Sequence, residues 1–267
     1  MMGTVRKYLE FYRLFFVQYW KSRMVYKWDF ILGFSGQFLA TAVSIAFITL
    51  LYTQTNSIGG WGYYEILFLS GFGGTILFLH HVFLFNIFHL GEDFIIEGRM
   101  DRLLVRPLSP LFQVYAHGMG DDDLSKLIVN AALVLYVAPK IGIALTPANL
   151  LYGAASLVSG VLFIAGLYLA FATTAFWTGK SEAAISILFT LSEFRKYPYS
   201  IYGGAVQVLL VTLIPIGLAI LFPASYLLGK PGHGTLKIVS VLLGPVFFYL
   251  AYRFWRFGLS RYSSTGT

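Results

Sequence analysis

Five stretches of this chain run for about 20 residues or more with almost no charge, and that feature narrows the fold more than any other. They extend from Phe30 to Tyr52, Tyr63 to Leu90, Leu150 to Trp177, Gly203 to Phe222 and Leu236 to Trp255. A helix rises about 1.5 Å per residue, so each is long enough to cross a hydrocarbon core of about 30 Å. A sixth stretch, Leu124 to Leu145, carries Lys126, Asn130, Pro139 and Lys140, but its charges sit near its ends, where long side chains reach the interface. Only 12% of the 267 residues are charged, about half the share of a soluble domain, and the mean hydropathy is +0.72. The expected fold is an all-α integral membrane protein with six transmembrane helices.

The cations orient these spans. With the N-terminus inside, only Lys140, Lys230 and Lys237 of the 19 Lys and Arg fall on outer connections. That bias places both termini in the cytoplasm and the chain in a multi-pass cytoplasmic membrane. A net charge of +7 spread over span ends argues for lipid contact and against a nucleic-acid partner. No cysteine is present, so thiolate and disulfide chemistry are excluded. Residues 1–29 are too charged to cross and lack the apolar core of a signal peptide. Their interleaved cations and aromatic rings suit a helix in the headgroup layer, which divides the chain into an interfacial segment, 1–29, and a six-span domain, 30–267.

Between the second and third spans lies "EGRMDRLLVRPLSPL", Glu97 to Leu111, a dense charged patch in a greasy chain. Read as one helix over 92–106 at about 100° per residue, it aligns Asp93, Glu97 and Asp101 in an acidic stripe. Arg99, Arg102 and Arg106 then form a basic stripe on nearly the opposite side, with Ile96, Met100, Leu103 and Leu104 between them. Pro107 ends the helix near Arg106. A solvated connector would explain the charges equally well, but it could be far shorter.

At this point the sequence resembles a family. "EGRMDRLLVRPLSPLFQV", then "FWTGKSEAAISI", "YPYSIY" and "TLIPIGLAILFPASYLLG" look like the membrane subunits of type-2 ABC transporters. The nearer likeness is to a bacterial permease family encoded beside a second, related permease and a separate ATPase. The resemblance implies that the connection between spans two and three is a coupling helix in a cleft of the nucleotide-binding subunit. Glu97, Gly98, Arg99, Asp101 and Arg102 would be contacts there, with Asp93 and Arg106 flanking them. It also implies two ATPase subunits, which would bind ATP and magnesium while this chain binds no cofactor, and a second permease, identical or as a heterodimer. Many such exporters carry re-entrant helices outside, between spans five and six. Here "PASYLLGKPGHGTL" leaves room for little more than a turn, and "SEAAISILFTLSEFRKYPYSIY" reads instead as an interfacial or partly inserted inner segment before span five.

Other motifs carry less. "TGKS", Thr178 to Ser181, imitates a phosphate loop, but the required first glycine is Thr174 and a membrane helix precedes it. His80, His81, His89 and Glu92 lack zinc-helix spacing and suit helix-to-helix hydrogen bonds. Asp121, Asp122 and Asp123 stand where carboxylates cap a helix. Gln37, Thr41 and Ser44 form one polar stripe on span one, either cross-linking helices or, as the family implies, lining a substrate route. Gly166, Ala170 and Thr174 give span four a close-packing face. Ionisable groups are nearly absent from the predicted mid-spans, which argues against membrane catalysis and ion coupling. The reading is therefore a non-enzymatic permease of an ATP-driven exporter for an amphipathic or lipid-like molecule or drug. A scaffold that transports nothing is the alternative, and an intramembrane enzyme a second.

Overall fold

The structure, a computed structural model, describes residues 2–208, 216–231 and 234–264. Helices account for every named element among them, and the one β contact is an isolated bridge between Ile58 and Trp61. A first helix, Met2–Val25, breaks at Tyr26, and Lys27–Gln54 continues as span one. Span two begins as Tyr63–Leu84 and extends through tighter and wider turns to Ile96. Span three runs over Asp121–Ile141, span four over Pro147–Thr178, and the last helix over Gly234–Leu259. Five helices among the described residues are long and apolar enough to cross a membrane.

Span two is the axis. Its residues from Ile66 to Phe78 are buried without interruption, and spans three and four pack on either side. Lipid tails are as apolar as leucine, so close approach and polar cross-links hold such helices together. A Cβ on Gly74 would lie 2.1 Å from Oδ1 of Asn130, so only glycine lets span three sit this near. Spans four and six meet through Ser159. Its hydroxyl donates to the Ser240 carbonyl at 3.1 Å and accepts from the Gly244 amide at 3.0 Å. The hydroxyl thereby bridges the turn before Pro245, which has no amide of its own to give.

The passage between spans four and six differs from the sequence expectation. Glu182–Ser192 starts beside Gly91 toward the Ile96 end of span two, the end predicted to lie inside, where the Gly179 carbonyl and Glu182 stand close. Phe189 then packs on Phe85, His81 and Tyr168. Arg195 reaches Gly73, halfway along Tyr63–Leu84, and Ser200 donates to the Gly59 carbonyl at 3.1 Å, in the loop at the other end. The segment 182–201 thus runs the full height of the bundle and is no interfacial helix. From there the chain turns back inward. Ile220 also touches Gly73, whereas Tyr226 packs on Tyr152 near the start of span four and Lys230 bonds to Gly60 and Glu65. Tyr202 and Lys230 therefore bracket an excursion that enters and leaves at the same end. The predicted fifth span, Gly203 to Phe222, belongs to this excursion as far as it is described, and its residues 209–215 lie outside the described residues.

Apolar length misled the sequence reading here. Ala183–Leu191 is too short to cross alone, and the crossing is completed by a 3-10 turn, Glu193–Lys196, and by residues 197–201. Charges were read as marking the surface, but in "EFRK" they pair with one another. Arg195 lies 3.1 Å from Glu193, and Lys196 pairs with the same carboxylate.

Candidate functional site

Two places combine charge with accessible space. One is the inner-end segment, 97–106. The predicted single helix over 92–106 is not what forms. Span two carries on to Ile96, and Gly98 takes φ +68°, a left-handed turn that side chains disfavour, before a fresh helix, Arg99–Leu104. The reversal removes the two opposite stripes. Arg99 instead folds back onto the acidic residues, 2.6 Å from Glu97 and 3.8 Å from Asp93. Asp101 accepts from the Ser264 hydroxyl at 2.6 Å, which ties the chain's tail to this segment. Of the supposed apolar face, Met100 and Leu103 are buried, but Ile96 and Leu104 are exposed. Val105 is 85% exposed, and Arg102 and Arg106 flank it in the open.

The segment is braced from behind. Gln113 donates to the Leu103 and Leu108 carbonyls at 2.9 and 3.1 Å, which holds the turn at Pro107. From the N-terminal helix, Lys7 donates to the Pro107 carbonyl at 3.1 Å, and the Tyr8 hydroxyl accepts from the Ser109 amide. Further along, Arg23 lies 2.5 Å from Asp29, 2.5 Å from Asp121 and 3.1 Å from Asp122. Tyr19 also donates to Asp121 and to the Met119 carbonyl. Burial opposes the Arg23 cation, but its hydrogen bonds to Asp121 and Asp29 outweigh it and leave its pKa raised. The expected capping by Asp121–Asp123 is not observed, since Asp123 makes no side-chain cap bond. These carboxylates are claimed by Arg23, by Lys126 at 2.7 Å and by His81 instead.

His81 lies 2.8 Å from Asp123 through Nδ1 and 3.2 Å from the Tyr168 hydroxyl through Nε2. With the carboxylate accepting from Nδ1, Nε2 is left to accept from Tyr168. It is a junction of spans two, three and four. Among the described residues no three His, Asp or Glu side chains gather as a metal site. The TGKS stretch is a helix end. Gly179 takes φ +76°, and the Thr178 hydroxyl bonds to the Thr174 and Lys180 carbonyls beside Gly91.

The second place lies at mid-height. Gln37, Thr41 and Ser44 line one wall of a cavity of about 200 Å³, with Asn130 and Lys126 on span three opposite. Glu193, Arg195 and Lys196 close it from the fifth crossing. Thr41 bonds to its own helix at the Gln37 carbonyl, so the stripe faces the cavity and does not cross-link helices. The sequence does not show these charges at mid-height, because an interfacial or partly inserted reading of 181–202 fits its short apolar run equally well. The premise of nearly charge-free mid-spans therefore falls. The signal that could have found them is a carboxylate two or three residues from two cations, a set able to pair internally.

A model of the family described as ABC-2 family transporter protein matches residues 38–266. No curated protein and no solved structure matches the chain. The match takes in span one from Phe38 onward, all later spans, the inner-end segment and the fifth crossing. This all-helical chain belongs to the ABC-2 family of transporter proteins, as a membrane permease subunit of an ABC transporter.

Proposed function

We propose that the chain is the permease of an ATP-driven exporter in the cytoplasmic membrane, with both termini inside, and that residues 97–106 receive the stroke of a separate ATPase. The observation that carries this reading is the mounting of that segment. It projects Val105, Leu104, Arg102 and Arg106 outward, yet it follows span two directly through the turn at Gly98 and is braced by the N-terminal helix. An apolar knob ringed by charges suits a protein cleft, where charge fixes register and the apolar centre supplies affinity. Glu97, Arg99, Asp101, Arg102 and Arg106 would meet the ATPase, with Gly98 setting the angle and Asp93 steadying Arg99. Because span two is packed along most of its length, a push at its inner end is passed to spans three and four rather than absorbed.

The retained positive-inside bias supports the orientation. Moving Arg195 and Lys196 off the inner side still leaves far more cations there than on the outer connections. Two ATPase copies, carrying ATP and magnesium, and a second permease, related or identical, complete the assembly. Exposed apolar residues along span one, among them Phe38, Leu39, Val43 and Phe47, leave a face for that second permease or for lipid. The cargo would be amphipathic or lipid-like.

The test is substitution of Glu97, Arg99 and Asp101 together by alanine in the reconstituted complex. Transport should drop by tenfold or more while ATP hydrolysis continues and the complex stays intact, since charged interface pairs are worth about 1.5 kcal/mol or more each. Unchanged ATP-driven transport in an intact complex would overturn the coupling role and favour a scaffold.

A further inference from the structure

We propose that the mid-height cavity between span one, span three and the fifth crossing binds the phosphate-type head group of a single- or double-chain amphiphile. The inference rests on the transport reading only in calling that molecule cargo. The binding itself does not require it.

Charge is the first argument. Lys126, Arg195 and Lys196 line the cavity against the single carboxylate of Glu193. Asp123 offsets Lys126 from outside the cavity, so a net positive charge remains beside it. Cations at mid-membrane are costly unless something answers them, and an entering anion would. Arg195 makes the argument specific. Its side chain is 4% exposed, it bonds to the Ser192 carbonyl and Glu193 through Nη1, and its Nε has no hydrogen-bond partner. Arg195 lines the cavity as a buried guanidinium whose donors are not all met, and an anion entering that cavity would offset its charge.

Shape is the second. A second space of about 490 Å³ adjoins the cavity, sharing Ser44, Glu193 and Lys196 as walls. Phe47, Phe194, Tyr197 and Tyr202 line that second space, so the polar end gives way to an aromatic one. An amphiphile has the same two ends. Gln37, Thr41 and Ser44 add neutral hydrogen-bonding groups at the polar end.

The experiment uses the full chain in neutral detergent, without ATP or ATPase. Calorimetry would compare an oleoyl lysophosphatidic acid, the matching lysophosphatidylcholine and inorganic phosphate. The phosphatidic probe should bind best. Lys196→Gln and Lys126→Gln should each weaken it roughly tenfold, the worth of one charge-assisted hydrogen bond, while Glu193→Gln should tighten it. Melting temperatures show whether a variant is folded, and any one folded variant of the three decides. Equal binding of the choline probe would overturn the anion requirement. Phosphate binding as tightly as the lipid would overturn the amphiphile. Undiminished affinity in a folded lysine variant would sink the site. Because ATP is absent, this result and the coupling result can fail separately.

Discussion

The inner-end segment and the mid-height cavity both set cations against carboxylate, but they hold them on opposite terms. At the inner end, Arg99, Asp93 and Glu97 are each about a third exposed or more, and water already solvates them. Such pairs contribute little stability, about 0–1 kcal/mol, so their value lies in what they offer a partner. In the cavity, Arg195 is almost wholly buried, and its pairing with Glu193 leaves the buried Nε without a partner. There the same kind of residue is a structural liability that persists only with compensation. Charge at a surface is thus a means of recognition, whereas charge at depth demands a reason.

The largest expected effect tests whether the middle of the bundle is the rigid part. Gly74→Val would drive a side chain into Asn130, beside the cavity, and overpacking of this kind costs about 3 kcal/mol. Gly98→Ala at the inner end takes on an unfavourable φ, which costs about 1 kcal/mol. Melting of the purified chain should fall clearly for the first and slightly for the second, while the second should impair coupling. Equal losses would erase the distinction between a rigid middle and an adjustable end.

A smaller effect sharpens the contrast because its sign is unusual. Arg195→Met keeps much of the volume and removes a buried cation, so stability should hold or rise by about 1 kcal/mol. Affinity for the phosphatidic probe should fall in the same protein. Arg99→Met at the exposed end should leave both quantities unchanged. A clear loss of stability in Arg195→Met would mean that the cation is structural and that the head-group argument loses its main support.

Legibility in the sequence followed the same division. Spans one to four and the last helix could be read because length and apolarity are local properties, and so could the position of the charged inner segment. Its shape could not. A continuous 92–106 helix satisfies the pattern, and the reversal at Gly98 depends on how Met100 and Leu103 find cover under the bundle. The fifth crossing was hidden for a related reason. It is assembled from a short helix and two 3-10 turns, none long enough alone, and its charges cancel only once they are folded together. The stripe Gln37, Thr41 and Ser44 was visible as a polar face, but what it faces came from residues more than 80 positions away.

The smallest effect concerns pH and belongs to the inner end alone. His117 sits behind Arg99, Arg102 and Arg106, edge-on to Phe94 at 5.7 Å. Burial lowers its pKa from 6.5, Arg99, Arg106 and Arg102 lower it further, and Asp93 acts against them. The folded segment therefore holds the ring neutral, whereas a released segment would take up a proton near pH 6.5. Stability from this packing is intact above that pH and declines as the pH falls below it. The ring is partly open to water, so the change is small. Hydrogen exchange across 99–117, corrected for its intrinsic pH dependence, should accelerate no more than about threefold between pH 7.5 and 5.5. In His117→Gln that acceleration should vanish, and exchange around Arg195 should not respond in either protein. A matching response around Arg195 would mean that the two regions share one electrostatic environment, and the contrast between them would fail.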